Sequence, residues 1–190
     1  MVTQNHSHRL RRAARAAAEQ GIDAVVVSPS ADLLYLTGYD PPPLERLTCL
    51  LIRSDRDPTL VVPALERPLA ESSGIATLVD LVHWNETDDP YRLVADRLGE
   101  AERVGCSERM WASHLLRLEE AVQRATFVPA QSVLAPLRAV KDVRELGLLR
   151  RAARAADETF RRVVSMRLET MTERELATRL AELLVQMGHD

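Results

Sequence analysis

The sequence predicts an α/β protein with a mixed sheet and helices on both of its faces. Segments typical of strands alternate with segments typical of helices over residues 6–134. The segment Ile22–Ser28 is an almost continuous apolar run, which indicates a strand buried on both faces. Because 190 residues are many for one domain and few for two, we expect one domain with an appendage.

The chain opens with a predicted helix at His8–Gln20, which Gly21 is suited to end. The arginines on one side of this helix would suit an anionic membrane surface. Its apolar side is mostly alanine and too small to insert, so we expect a solvated basic face. His6 and His8 are expected in a flexible, polar tail.

The remaining elements of this domain follow from apolar runs separated by polar or proline-containing turns. A short helical turn is expected within Asp32–Tyr39, where Gly38 permits a positive φ. Further strands are predicted at Leu47–Arg53, Thr59–Val62, Leu78–Trp84, Arg103–Cys106 and Thr126–Val128, and further helices at Ala64–Ser73, Tyr91–Leu98 and Ser113–Ala125.

Two amphipathic helices are predicted in residues 142–190, after a linker of residues 135–141 that contains Pro136. Capping boxes of Asp142 with Glu145 and of Thr172 with Glu175 mark their starts. The expected ion pairs on the first helix are Asp157–Arg161 and Glu158–Arg162. Apolar residues recur at steps of three and four on one face of each helix, namely Val143, Leu146, Leu149, Ala153, Ala156, Phe160 and Val163, then Leu176, Leu180, Leu183 and Met187.

Composition narrows the class of protein. A net charge of −3 argues against a nucleic-acid binder, which usually carries a basic excess. Cys49 and Cys106 lie in apolar runs and are expected as buried, reduced thiols. The amino terminus lacks the apolar core of a signal peptide, and no apolar run approaches the roughly 20 residues of a membrane span. We therefore expect a cytoplasmic protein without a membrane partner.

Three blocks of the sequence resemble the family of Xaa-Pro aminopeptidases, prolidases and creatinase. They are Asp32–Tyr39 (Asp-Leu-Leu-Tyr-Leu-Thr-Gly-Tyr), Leu137–Phe160, which contains the only lysine of the chain at position 141, and Thr172–Gly188. Asp32 stands where the family commonly has asparagine, and the usual glycine before Thr172 is absent. The order and spacing of the blocks carry the resemblance more than any one of them does.

This resemblance implies a creatinase-like amino-terminal domain over residues 6–134, the linker, and the first two helices of a pita-bread catalytic domain over residues 142–190. It implies hydrolysis of peptide bonds next to proline by a pair of divalent metal ions such as manganese, cobalt or zinc. The family's metal ligands, two aspartates, a histidine and two glutamates, follow these helices. Since the sequence stops at Asp190, we expect this chain to hold no catalytic metal and no catalytic residue, and to be inactive alone.

In dimeric members of the family the amino-terminal domain can reach over the active site of the partner subunit. If this chain forms such a homodimer, the loop Tyr39–Arg46 is the candidate to contact the peptide substrate. Tyr39 would offer a stacking surface and a hydroxyl, Asp40 could bind an amine, and Arg46 could hold a carboxylate. The alternative is a surface loop stiffened by its prolines.

Other chemistry lacks support in the residues themselves. His83 and His114 have no adjacent nucleophile and are expected to be structural, and Asp88–Asp89 and Glu119–Glu120 are expected to face water. Two alternatives to a peptidase portion stay open. One is a stand-alone binding or dimerisation module, and the other is part of a creatinase-like hydrolase that cleaves a non-peptide carbon–nitrogen bond.

Overall fold

Six strands form one mixed sheet: β1 (Ala24–Val27), β2 (Cys49–Arg53), β3 (Thr59–Pro63), β4 (Asp80–Trp84), β5 (Arg103–Cys106) and β6 (Thr126–Pro129). Their order across the sheet is β4-β3-β2-β1-β5-β6. Strand β2 is antiparallel to its neighbours β1 and β3, whereas all other pairs are parallel. The computed structural model describes residues 2–189. The chain forms two compact units, residues 1–139, which contain the sheet, and residues 140–190.

Helices cover both faces of the sheet, as the sequence predicts. They are α1 (Val2–Glu19), α2 (Ala31–Thr37), α3 (Arg67–Ser72), α4 (Pro90–Leu98), α5 (Ala112–Ala121) and α6 (Gln131–Ala139), with short 3-10 turns at Ala64–Glu66 and Ile75–Thr77. On β1, Val25 and Val27 join one apolar core, which includes side chains from α1, α2 and α6. Ala24 and Val26 join a second core with side chains from α4 and α5. This alternation along a fully buried strand is what a sheet between two helical layers requires.

One edge of the sheet collects most of its strand ends. The register places the carboxyl ends of β1, β3, β4, β5 and β6 at the same edge as the amino end of β2. We call it the carboxyl edge. Loops that leave a rigid sheet at such an edge are well placed to carry binding groups.

The expected linker at residues 135–141 is wrong in its first part, because residues 135–139 are helical and belong to α6. Pro136 lies inside this helix. Proline has no amide hydrogen to offer the carbonyl four residues earlier, which is that of Ser132. The side chain of Gln20 donates to it instead, with Nε2 3.2 Å from the Ser132 oxygen, and the helix continues through the proline.

The amino-terminal tail expected before His8 is also wrong, because α1 begins at Val2. His6 is buried within this helix. Arg9, expected on the solvated basic face, is buried as well: its guanidinium lies 4.1 Å from the centre of the Tyr35 ring and donates to the Tyr35 carbonyl at 2.9 Å. The cation–π contact and this hydrogen bond stabilise the buried charge.

The second unit contains α7 (Val143–Val164), a 3-10 turn at Leu168–Thr170 and α8 (Glu173–Gln186). Both predicted capping boxes are present, with reciprocal bonds of 2.8 and 2.9 Å between Asp142 and Glu145. Glu158 pairs with Arg162 at 3.1 Å as expected, but Arg161 also pairs with Glu158, at 3.2 Å, rather than with Asp157. Leu183 is buried, whereas Val143, Phe160 and Val185 are more than half exposed.

Both cysteines are free and buried, as predicted. Burial raises the pKa of each thiol, to about 12 for Cys106, so neither is a thiolate near neutral pH. Within residues 2–189, the helices are all too short or too polar to cross a membrane.

Candidate functional site

The loop Tyr39–Arg46, which we call the proline loop, lies at the carboxyl edge between α2 and β2. It contains Pro41, Pro42 and Pro43 and has no regular secondary structure. Pro41 is buried, whereas Pro42, Pro43, Leu44 and Glu45 are exposed. Pro42–Glu45 are therefore presented to solvent between the buried Pro41 and the half-buried Arg46.

Gly38 directs the chain from α2 into the proline loop. Its φ is +77°, a conformation that favours glycine, and its amide closes the helix by donating to the Leu34 carbonyl at 2.8 Å. A Cβ at this position would lie 2.9 Å from Nε2 of His6. Both the backbone angle and the buried histidine thus require glycine here.

Tyr39 does not offer the exposed stacking surface that the sequence suggests, because its side chain is only 3% exposed. Its hydroxyl is buried and has no hydrogen-bond partner among the residues that the structure describes. Burial, and secondarily the negative charge of Glu66, raises the pKa of the Tyr39 hydroxyl. Tyr39 therefore belongs to the core beneath the loop.

Asp40 and Arg46 lie at the two ends of the solvent-exposed part of the proline loop. Asp40 is exposed. Arg46 is half-buried and faces two carboxylates: its Nε lies 3.4 Å from Glu66 Oε1, and its Nη1 lies 3.6 Å from Glu86 Oε1. The arginine expected to hold a ligand carboxylate thus already has two protein carboxylates beside it.

Glu66 is the fixed member of this group. It follows β3 at the carboxyl edge, and its side chain is only 12% exposed. Its second oxygen, Oε2, lies 3.4 Å from the Thr48 hydroxyl, which donates to it. Because Glu66 contacts residues on both sides of Leu47, it fixes the direction of the Arg46 side chain.

Aromatic residues from two other elements hold the backbone of the proline loop and of Leu47, which directly follows it. Trp84 at the end of β4 donates from Nε1 to the Leu47 carbonyl at 3.0 Å. His114 of α5 is hydrogen-bonded to the backbone of Leu44 and, through Nδ1, to the Tyr91 hydroxyl at 2.8 Å. The ring of His114 also stacks on Trp111, with ring centres 5.8 Å apart. These contacts hold the loop without any regular secondary structure.

The pKa of His114 is lowered, chiefly because the ring is buried. The bond to Leu44 opposes this shift, and the charge of Arg117 adds to it. The imidazole is therefore neutral at pH 7, with one nitrogen donating and the other free to accept from Tyr91. The expectation of a satisfied, structural histidine is confirmed, although no local pattern could have shown that it holds the proline loop.

A cavity of about 420 Å³ lies beside the Arg46 group. Its walls are Ala64, Leu65, Trp84, Asn85, Glu86 and Thr87. Leu65 is 72% exposed, which leaves an apolar wall open to solvent. Glu86, the more exposed partner of Arg46, therefore also borders this cavity.

Other polar groups at the surface have structural roles. Asp89 caps α4 by accepting from the Tyr91 and Arg92 amides, and Asp88 accepts from the Asn85 amide at 2.7 Å. A groove at the opposite edge of the sheet is lined by α1 and the β2–β3 turn, but there Asp55 pairs with both Arg53 and Arg56. His83 is exposed, with Nδ1 3.4 Å from Arg67 Nη1.

Comparison with known proteins gives consistent matches. The family model of the creatinase/prolidase N-terminal domain matches residues 9–140. Probable dipeptidase PepE of Mycobacterium tuberculosis (strain H37Rv) is 36% identical over 186 residues, which make up 97% of this chain and 49% of that protein. The chain spans about half the length of the curated relatives it matches.

Solved structures show the same relationship. The crystal structure of dipeptidase PepE from Mycobacterium ulcerans superimposes with a TM-score of 0.89 at 34% identity, covering 99% of this chain and 51% of that one. Recombinant prolidase from Thermococcus sibiricus gives a TM-score of 0.79 at 26% identity, covering 93% of this chain and 48% of that one. The likeness therefore extends past residue 140, where the family model ends.

Proposed function

Because this chain belongs to the creatinase/prolidase N-terminal domain family, we propose that it forms the amino-terminal half of a peptidase that hydrolyses peptide bonds next to proline. The match to dipeptidase PepE over 97% of the chain and 49% of that protein is the observation that carries this proposal. On this reading, residues 142–190 supply the first two helices of the catalytic domain. The relatives' description as dipeptidases favours a peptide bond over the non-peptide carbon–nitrogen bond of creatinase-like substrates.

The proposed enzyme would take two divalent metal ions, such as manganese, cobalt or zinc, and the chemistry that such ions would supply is the activation of water and the polarisation of a carbonyl. Between residues 2 and 189, the His, Cys, Asp and Glu side chains form no group of three or more that could hold a metal ion. The residues that the structure describes therefore do not fit the metal site. The metal ligands of the proposed enzyme would lie in its carboxyl-terminal half, and the described residues would have no metal-binding role.

The role proposed for this half is to complete the substrate site of a partner subunit in a cytoplasmic homodimer. The proline loop supports this role because Pro42–Glu45 are exposed, the backbone is held at Leu44 and at Leu47 directly after the loop, and the loop lies at the carboxyl edge. Asp40 is the group proposed to meet the substrate amine, and Arg46 the group proposed to meet its carboxylate. Tyr39, being buried, supports the loop from below.

The test uses the full-length protein, expressed from the coding sequence extended beyond Asp190 and supplied with each of the three metals. We expect it to hydrolyse Xaa-Pro dipeptides in preference to Xaa-Ala dipeptides. The 190-residue chain serves as the control and should cleave neither. A full-length protein that fails to hydrolyse any Xaa-Pro dipeptide with any of these metals would contradict the proposal.

Arg46→Ala in the full-length protein tests the loop separately. Loss of a charge-assisted hydrogen bond to the substrate carboxylate should raise KM about tenfold or more. Thermal melting of the variant checks that the fold is kept. Unchanged kinetics toward Xaa-Pro dipeptides would remove the loop from the substrate site and leave the activity itself unaffected.

A further inference from the structure

The two carboxylates beside Arg46 differ in how firmly they are held. Glu66 is 12% exposed and accepts from Thr48 as well as contacting Arg46. Glu86 is 72% exposed, and its ion pair with Arg46 spans 3.6 Å, against 3.4 Å for Glu66, so the two carboxylates differ mainly in burial. Exposed ion pairs of this kind add little stability because water competes for both partners. Of the two carboxylates beside Arg46, Glu66 is thus the buried one and Glu86 the one open to solvent.

We propose that Glu86 competes with the carboxylate of a short peptide for the guanidinium of Arg46. When the peptide binds, its carboxylate replaces Glu86, and the apolar side chain of the peptide enters the adjacent cavity. This inference rests on the proposed function, since the full-length peptidase would supply the bound peptide. It makes Glu86 a determinant of specificity for peptides that have a free carboxyl terminus.

The exchange of one carboxylate for another at Arg46 changes the electrostatic free energy little. One carboxylate leaves Arg46 and another arrives, so the net charge around the guanidinium does not change. Glu86 moves into water, where an exposed side chain is already largely solvated. Glu66 stays in place and keeps the guanidinium oriented, so the peptide meets a side chain whose direction is already set.

The cavity specifies the second part of the ligand. Glu86 is one of its lining residues, so a group that takes the place of Glu86 arrives next to Ala64, Leu65 and Trp84. The Trp84 ring is held by its hydrogen bond to Leu47, and Leu65 offers apolar surface that a ligand would remove from water. An apolar side chain or a proline ring next to a free carboxylate matches this arrangement.

The experiment compares Glu86→Gln with the parent in the full-length protein, on an Xaa-Pro dipeptide and on its carboxyl-terminal amide. The variant removes the competing charge and keeps the shape of the side chain. We expect KM for the dipeptide to fall about threefold, in the range of one exposed ion pair, with kcat unchanged. KM for the amide should not change, because the amide cannot replace a carboxylate on Arg46.

Glu45→Gln is the matched control. Glu45 is an exposed acid of the same loop, so its neutralisation changes the local charge equally. An equal fall in KM for Glu45→Gln and Glu86→Gln, or no change in Glu86→Gln, would overturn the inference. A fall for the amide as large as for the dipeptide would overturn it too.

Arg46→Ala separates this inference from the proposed function. If it raises KM for the dipeptide alone while Glu86→Gln has no effect, the loop role stands and the Glu86 inference fails. If it changes KM for neither substrate, the loop has no role and the inference fails with it. If it raises KM equally for both, Arg46 does not recognise the carboxylate, and the Glu86 inference is again overturned.

Discussion

Gly38 shows how one residue connects two segments that are far apart in the sequence. Its left-handed backbone angle ends α2, and the absence of a side chain leaves room for His6 of α1. The sequence predicts the backbone requirement, because glycine follows a short helical pattern. It does not predict the contact with His6, because nothing near either residue indicates which side chain arrives from the other segment.

Replacing Gly38 by alanine should reduce the free energy of unfolding by about 2 to 4 kcal/mol, from backbone strain and overpacking together. Gly74→Ala is the matched control, since its φ is +78° and nothing lies within 4 Å of the added Cβ. It should lose only the backbone part, about 1 kcal/mol. Denaturant titration followed by tryptophan fluorescence measures the first unit, because both tryptophans of the chain, Trp84 and Trp111, lie there. Equal losses in the two variants would exclude a steric role for His6.

His114 makes the stability of the first unit depend on pH. Its pKa is lower in the folded protein than in the unfolded chain, so the unfolded chain binds more protons as the pH falls. The contribution of His114 is therefore fully present above its unfolded pKa of about 6.5 and is lost as the pH drops through the lowered folded value.

His114→Gln should abolish this part of the pH dependence, because glutamine does not titrate. We expect the stability difference between the parent and the variant to shrink from pH 8 to pH 5.5, measured by urea unfolding at each pH. Tyr91 and Arg117 face the imidazole and are unchanged in the variant. A stability difference that is constant over this range would contradict the assignment.

Among the elements, those with local signals were predicted best. Strand β5 has the predicted bounds, and both capping boxes form where Asp142 and Thr172 predict them. The sequence does not predict helix α6: it indicates no element at residues 131–134, and Pro136, which normally disfavours a helix interior, places residues 135–139 in the expected linker. The donor that compensates for it, Gln20, lies 112 residues away from Ser132, and sequence patterns carry no information on such a pairing.

The proline loop illustrates the same limit for the candidate site. Its three prolines and the arginine that follows indicate an exposed, stiff loop, and the structure exposes Pro42–Glu45 while it buries Pro41. The groups that define its chemistry, Glu66, Glu86 and His114, follow three different strands and meet the loop only at the carboxyl edge. The strand order across the sheet is needed to bring them together.

At the scale of the whole molecule, the second unit exposes an apolar surface of its own. Val143 is 88% exposed, Phe160 67%, Val185 63% and Val164 57%. Monomeric proteins rarely expose contiguous apolar patches of large area. Val143 and Phe160 belong to the apolar face predicted for α7, whereas Val164 and Val185 lie outside the predicted faces. Of the face predicted for α8, Leu183 is buried.

We expect the 190-residue chain to self-associate through these helices. Phe160→Glu should shift the association to higher protein concentration, measured by sedimentation equilibrium, because it places a charge within the apolar surface. Leu116→Glu is the control, since Leu116 is 59% exposed but lies on α5 in the first unit. A chain that stays monomeric at all concentrations, or an equal effect of both variants, would exclude the surface of the second unit as the cause.

The hydrogen bond between Gln20 and the Ser132 carbonyl has a further consequence for the integrity of the first unit. It couples the segment directly after α1 to α6, and Arg9 and Tyr35 add a second connection that ends on the Leu137 carbonyl. The first and last helices of the unit are thus neighbours, so a protease that trimmed the initial twenty residues would uncover the last helix and leave its proline gap without a donor. A change at the amino terminus would therefore alter the contacts of α6, at the opposite end of the unit's sequence.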